Sequence, residues 1–107
     1  MIKYKKCKLL FFSGNLSSEV VTEVPIPDSV TPEDVTSDEL LINFLRAVRV
    51  ESVEGVKFLV VTDTDQTSQA ISLDQVNDIK LELVEDKILT EEEIHIPKFL
   101  GDVKRGY

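Results

Sequence analysis

One cysteine and one histidine, Cys7 and His95, are the only side chains here able to act as a soft nucleophile or to exchange protons near neutrality. Cys7 lies among Lys3, Lys5, Lys6 and Lys8, and nearby positive charge lowers a thiol pKa. It also shares strand parity with Leu9 and Phe11, which predicts a thiol packed as a small hydrophobe. His95 stands in Ile94-His95-Ile96-Pro97, beside no glycine-rich turn or nucleophile motif, and reads as a half-exposed strand or loop histidine. A lone histidine rules out a His-rich metal centre. Asp63, Asp65 and Thr67 alternate as calcium-loop ligands do, but Ser68 stands where an EF-hand turns on glycine, and Asp74 where it closes on glutamate. There is no phosphate-binding loop, dinucleotide fingerprint, zinc spacing or nucleophile elbow. The sequence therefore predicts no catalytic residue, no metal site and no cofactor.

The segment Val60-Val61-Thr62-Asp63-Thr64-Asp65-Gln66-Thr67 resembles the apolar-strand-then-DxDxT signature of haloacid-dehalogenase-like phosphatases. The resemblance implies a nucleophilic Asp63, an acid/base Asp65 and metal-dependent phosphatase chemistry. It stops at Thr67: no alternating βαβ pattern follows, and the chain is short for that α/β fold. Asp and Thr side chains also close turns by capping their own backbone amides. A hairpin loop is the expected role of Asp63 to Thr67.

Charge is the stronger signal. Twenty acidic residues outnumber twelve basic ones, giving a net charge of -8. Four lysines open the chain, and then no Lys or Arg occurs from Leu9 through Leu45, a stretch that holds Glu19, Glu23, Asp28, Glu33, Asp34, Asp38 and Glu39. Nucleic-acid affinity comes largely from Lys and Arg neutralising phosphates, so direct nucleic-acid binding is disfavoured. Acidic surface serves solubility, and it can also attract a basic partner. Asp28, Glu33, Asp34 and Asp38 are the candidate partner-binding residues. They occupy a proline-interrupted connection that is long for so small a domain, and long loops are disproportionately functional.

The elements that must position these residues follow from periodicity. Alternation over Ile2 to Phe12 predicts a strand, Ser13-Gly14-Asn15 a turn, and Glu19 to Ile26 its antiparallel partner. Pro25, Pro27 and Pro32 interrupt regular structure, with one helical turn expected at Thr31 to Asp34. Thr36-Ser37-Asp38-Glu39 has the form of a capping box, and Leu40, Leu41, Phe44, Leu45 and Val48 recur at helical spacing, so a helix is predicted over 37–48. Leu41, Phe44, Leu45 and Val48 are expected to cover a sheet. The second half reads as β: Val48 to Glu51, Val56 to Thr62 after a Glu54-Gly55 turn, Gln69 to Leu73, and Ile79 to Leu83. A single helical turn capped by Asp74 is expected between the last two. Thr90-Glu91-Glu92-Glu93 repeats the capping-box pattern before Pro97 halts any helix, and residues 101–107 are expected to fray.

Length and composition fit one domain over residues 1–107. The expected fold is α+β: a hairpin, one helix, then a β-meander, with a partly open SH3-like or Sm-like barrel as the alternative. The longest apolar runs fall far short of a membrane span, only four apolar residues follow the N-terminal lysines, and a single cysteine suits a reducing compartment. A cytoplasmic protein is expected. Its expected function is that of a non-enzymatic binding or regulatory module, an inhibitor or accessory protein of the bacterial or phage kind, facing a protein partner with a basic surface. The alternatives are a homo-oligomeric assembly protein and, less favoured, a phosphatase working through Asp63 and Asp65.

Overall fold

A computed structural model of the chain describes residues 1–96. Two antiparallel three-stranded sheets share one core with a single α-helix. The first sheet begins with the predicted hairpin, β1 (Tyr4–Ser13) and β2 (Leu16–Pro25). Ser13 pairs with Leu16 across a two-residue turn, and Gly14 takes φ +62° at its first central residue, where glycine carries no Cβ penalty. Asn77 clamps this turn: its Oδ1 accepts from Gly14 N at 2.6 Å, and its own N–H donates to Phe12 O at 2.7 Å.

A 3-10 turn (Pro32–Asp34) leads to α1 (Ser37–Ala47). The capping box forms as the sequence predicts. Thr36 Oγ1 accepts from Glu39 N at 3.1 Å, while Glu39 Oε1 accepts from Thr36 N at 2.9 Å. The helix ends because Val48 turns extended and feeds β3 (Arg49–Val53) directly. Asn43 Nδ2 donates to Pro25 O at 2.8 Å and ties the helix to the end of β2.

The meander runs through β3, β4 (Val56–Thr62) and β5 (Ser68–Ser72), which form the second sheet in that order. Glu54 and Gly55 both take positive φ in the tight turn between β3 and β4. The final strand, β6 (Asp78–Leu89), leaves the meander and pairs with β1, so the first sheet is ordered β2-β1-β6. Its Ile79 and Leu81 lie opposite Phe11 and Leu9 and share the buried face of β1. That return corrects the barrel alternative: the strands divide into two separate sheets and do not form one curved one.

Three local expectations also change. Leu73 to Gln75 is a turn closed by Gln75 N to Ser72 O at 3.2 Å, not a turn of helix, and Asp74 is exposed. The helix buries Leu40 and Phe44, with Leu41 and Val48 half-buried, whereas Leu45 is 42% exposed and does not cover the sheet. The last strand extends well beyond Leu83, because Val84 to Lys87 bulge outward opposite the single residue Lys6 before pairing resumes at Ile88 and Leu89. The frayed tail expected at 101–107 lies outside the described residues.

The core is the inner face of the first sheet. Cys7, Leu9 and Phe11 of β1, Val20 and Val24 of β2, and Leu81 of β6 form its floor. Leu40 and Phe44 of α1 pack over it, as do Leu59 and Val61 of β4, and Val35 closes the side. No helix among the described residues is long and apolar enough to cross a membrane.

Candidate functional site

The four acids singled out in the sequence fall on one stretch of chain between the end of β2 and the first turn of α1. Asp28 is in the loop after β2, Glu33 and Asp34 are in the 3-10 turn, and Asp38 is in the first turn of α1. All four are exposed, and none takes part in an ion pair among the described residues. Glu39 differs, because its carboxylate is occupied in the capping box. Asp38 lies where the helix dipole favours negative charge, which gives it a structural role as well.

The DxDxT segment is a hairpin loop. Asp63 Oδ1 accepts from both Asp65 N and Thr67 N at 2.9 Å, and Asp63 N donates to Thr67 O at 3.0 Å. The carboxylate that the phosphatase resemblance makes a nucleophile is thus engaged in closing its own turn. No group of three potential metal-ligating side chains occurs among the described residues. Cys7 is fully buried, and burial pushes its thiol up to about 12 despite the lowering influence of Lys5. The lysines that flank it in sequence do not create a reactive thiolate.

His95 has a partner that the sequence reading did not find. Glu23, on β2, alternates with Thr22 and Val24 and so points to the outer face of the first sheet, opposite Lys6. An outward glutamate should meet water, yet Glu23 is 1% exposed. The chain after β6 returns across this face and lays Ile94 to Ile96 over the carboxylate. Glu23 Oε1 accepts from His95 N at 2.6 Å and Ile96 N at 3.1 Å, and Oε2 lies 2.9 Å from His95 Nδ1. With the carboxylate as acceptor, Nδ1 carries the hydrogen and Nε2 is the ring nitrogen left unoccupied.

Further hydrogen bonds converge on the same place. Gln66 Nε2 donates to His95 O at 3.1 Å. Thr22 Oγ1 donates to Thr62 O at 2.7 Å, and Thr64 N donates to Val21 O at 3.0 Å, so the end of β4 is fastened to β2. This polar junction therefore ties both sheets and the chain after β6 together. The approach to it is prepared by a turn in which Glu93 Oε1 accepts from Thr90 N at 2.9 Å. That hydrogen bond, first among several contacts, holds the Glu93 carboxyl below its ordinary pKa.

Beside the junction lies a cleft of about 550 Å³ lined by Arg49, Thr62, Gln66, Ser68 and the Ile94 to Ile96 segment. Arg49 Nε donates to Glu51 Oε2 at 2.8 Å, and the Thr62 and Ser68 hydroxyls lie 3.0 Å apart. Sequence reading missed Glu23 because period-two alternation places it with exposed Glu19, and the residues that bury it come 72 positions later. Comparison with protein-family models, with characterised proteins and with solved structures finds no match to this chain.

Proposed function

We propose that the protein is a non-enzymatic binding module that docks by surface complementarity onto a protein partner with a basic surface. The observation carrying this reading is the run of exposed, unpaired acids Asp28, Glu33, Asp34 and Asp38, within a stretch from Leu9 to Leu45 that contains no basic residue. Carboxylates without local counter-charges leave their field available to an incoming partner, where it speeds encounter and sets register. The neighbouring Glu39 sharpens the contrast, since its carboxylate is engaged by the reciprocal cap at the helix start. The buried thiol and the turn-closing role of Asp63 support a binding role over nucleophilic catalysis. The test is to capture a partner from the source cells, identify it, and map its footprint by backbone amide shifts. This reading expects the largest changes between Asp28 and Asp38; a footprint elsewhere contradicts it.

One observation favours a second reading, self-assembly. β3 is an edge strand whose five residues are all exposed, with Val50 and Val53 about half exposed. Such an edge offers unpaired backbone groups to a second copy. Light scattering on the eluting protein separates the readings: a stable dimer supports strand pairing, and a monomer at all concentrations removes it.

A further inference from the structure

The cleft beside His95 is donor-rich in a protein that is otherwise strongly acidic. Among the described residues no carboxylate lines it. Glu23, the nearest through His95, has its oxygens turned onto His95 and Ile96, and Glu51 Oε2 is taken by Arg49 Nε. What remains for a ligand is mostly donors. Arg49 uses Nε on Glu51, which leaves the two terminal nitrogens of the guanidinium without a protein partner among the described residues. The His95 side chain is 65% exposed, and its Nδ1 is fixed by a carboxylate that is itself 1% exposed. The ring is therefore held in one orientation with Nε2 free. The Thr62 and Ser68 hydroxyls add a donor between them, since one hydrogen suffices for their mutual bond. Ile94 and Ile96 supply the apolar part of the wall.

We propose that this cleft binds a small organic oxyanion, a phosphate monoester or carboxylate with an apolar body. The charged head sits between the Arg49 guanidinium and the exposed edge of the His95 ring, and the body lies against Ile94 and Ile96. Arginine's terminal nitrogens match the paired oxygens of either head group, and charge-assisted hydrogen bonds are the stronger kind. The buried Glu23 carboxylate acts as a positioning group: it touches no ligand, and it fixes the ring that does. This proposal is independent of the acidic docking surface, because it uses different residues and a ligand of opposite charge to the partner inferred there.

The test is an NMR titration of the full chain with phenyl phosphate, benzoate and phenol. Saturable shifts of the His95 ring and of Ile94, Ile96 and Ser68 are expected with at least one anion and not with phenol. Tighter binding of phenyl phosphate identifies the phosphate head as the preferred source, and tighter binding of benzoate the carboxylate. Arg49→Gln should weaken binding by about ten-fold or more while leaving the remaining spectrum in place, His95→Ala should weaken it similarly with further changes confined to the Glu23 junction, and Arg49→Lys should restore part of the loss. The proposal is overturned if neither anion perturbs these residues at tens of millimolar, if phenol perturbs them equally, or if Arg49→Gln binds as the parent does.

Discussion

Cys7 and Glu23 illustrate opposite ways in which a strand residue meets its surroundings. Cys7 faces the core from the middle strand of its sheet and is sealed by side chains, so its thiol remains protonated throughout the working range. At pH 8 a pKa near 12 in place of 9.0 lowers the thiolate fraction by about a thousand-fold. An aromatic disulfide reagent should therefore label Cys7 promptly in denaturant and leave the native protein essentially untouched; comparable rates in the two states would place the thiol at the surface. Glu23 faces outward and is buried by backbone from the far end of the described chain. Removing its carboxylate strands two amides and an imidazole, so Glu23→Ala should cost roughly 2–4 kcal/mol in chemical denaturation. The milder Glu23→Gln should speed amide exchange at His95 and Ile96 ahead of the core strands. Unchanged exchange at both amides would mean that the carboxylate does not hold this segment. Periodicity could reveal Cys7 because its neighbours in the alternating pattern are its neighbours in space. It could not reveal Glu23, whose covering segment lies at a separation that no local pattern encodes.

Elements defined by local chemistry were the legible ones. The helix start rests on Thr36 and Glu39, three residues apart, and both halves of the reciprocal cap are formed. Thr36→Ala with Glu39→Ala should destabilise the domain by about 1–2 kcal/mol, read from the shift of its denaturation midpoint. An unmoved midpoint would mean that the cap contributes nothing. Helical spacing correctly marks an apolar face but not its width. Phe44 is buried against the first sheet, while Leu45, next along the helix, is 42% exposed. Phe44→Ala should cost about 3–5 kcal/mol and Leu45→Ala well under ~1 kcal/mol, and similar costs at both sites would contradict this packing. Sheet membership was not legible, for a physical reason. Alternation in Val56 to Thr62 and in Ile79 to Leu83 says which side chains turn inward. It does not say which neighbour completes the backbone ladder. That choice is made by Ile79 and Leu81 matching Phe11 and Leu9 across β1, a long-range fit.

At the scale of the whole molecule, one core holds two sheets whose relation is fixed by polar as well as apolar contacts. Leu59 and Val61 bring the second sheet onto the core, and the Thr22 and Thr64 hydrogen bonds set where β4 meets β2. The single-domain α+β outline followed from length, patterning and the one strong helix. The two-sheet division and the Glu23 junction did not. Charge is also organised on this scale: two of the three lysines of β1 pair with acids, Lys5 with Asp86 and Lys8 with Glu19, whereas the acids from Asp28 to Asp38 form no ion pair among the described residues.

That unbalanced stretch is the basis of the proposed function, and association kinetics test it most directly. With the captured partner, on-rates should be compared for the parent protein and for the triple variant Asp28→Asn, Glu33→Gln, Asp34→Asn, at low and high salt. These residues are exposed and lie outside the core, so the variant should keep the parent's denaturation midpoint. The parent should associate more slowly as salt rises, since exposed charges are screened beyond about 8 Å at physiological ionic strength. The variant should associate more slowly than the parent at low salt and respond less to added salt. Equal on-rates for the two proteins, independent of salt, would contradict it and leave these acids with solubility as their only role.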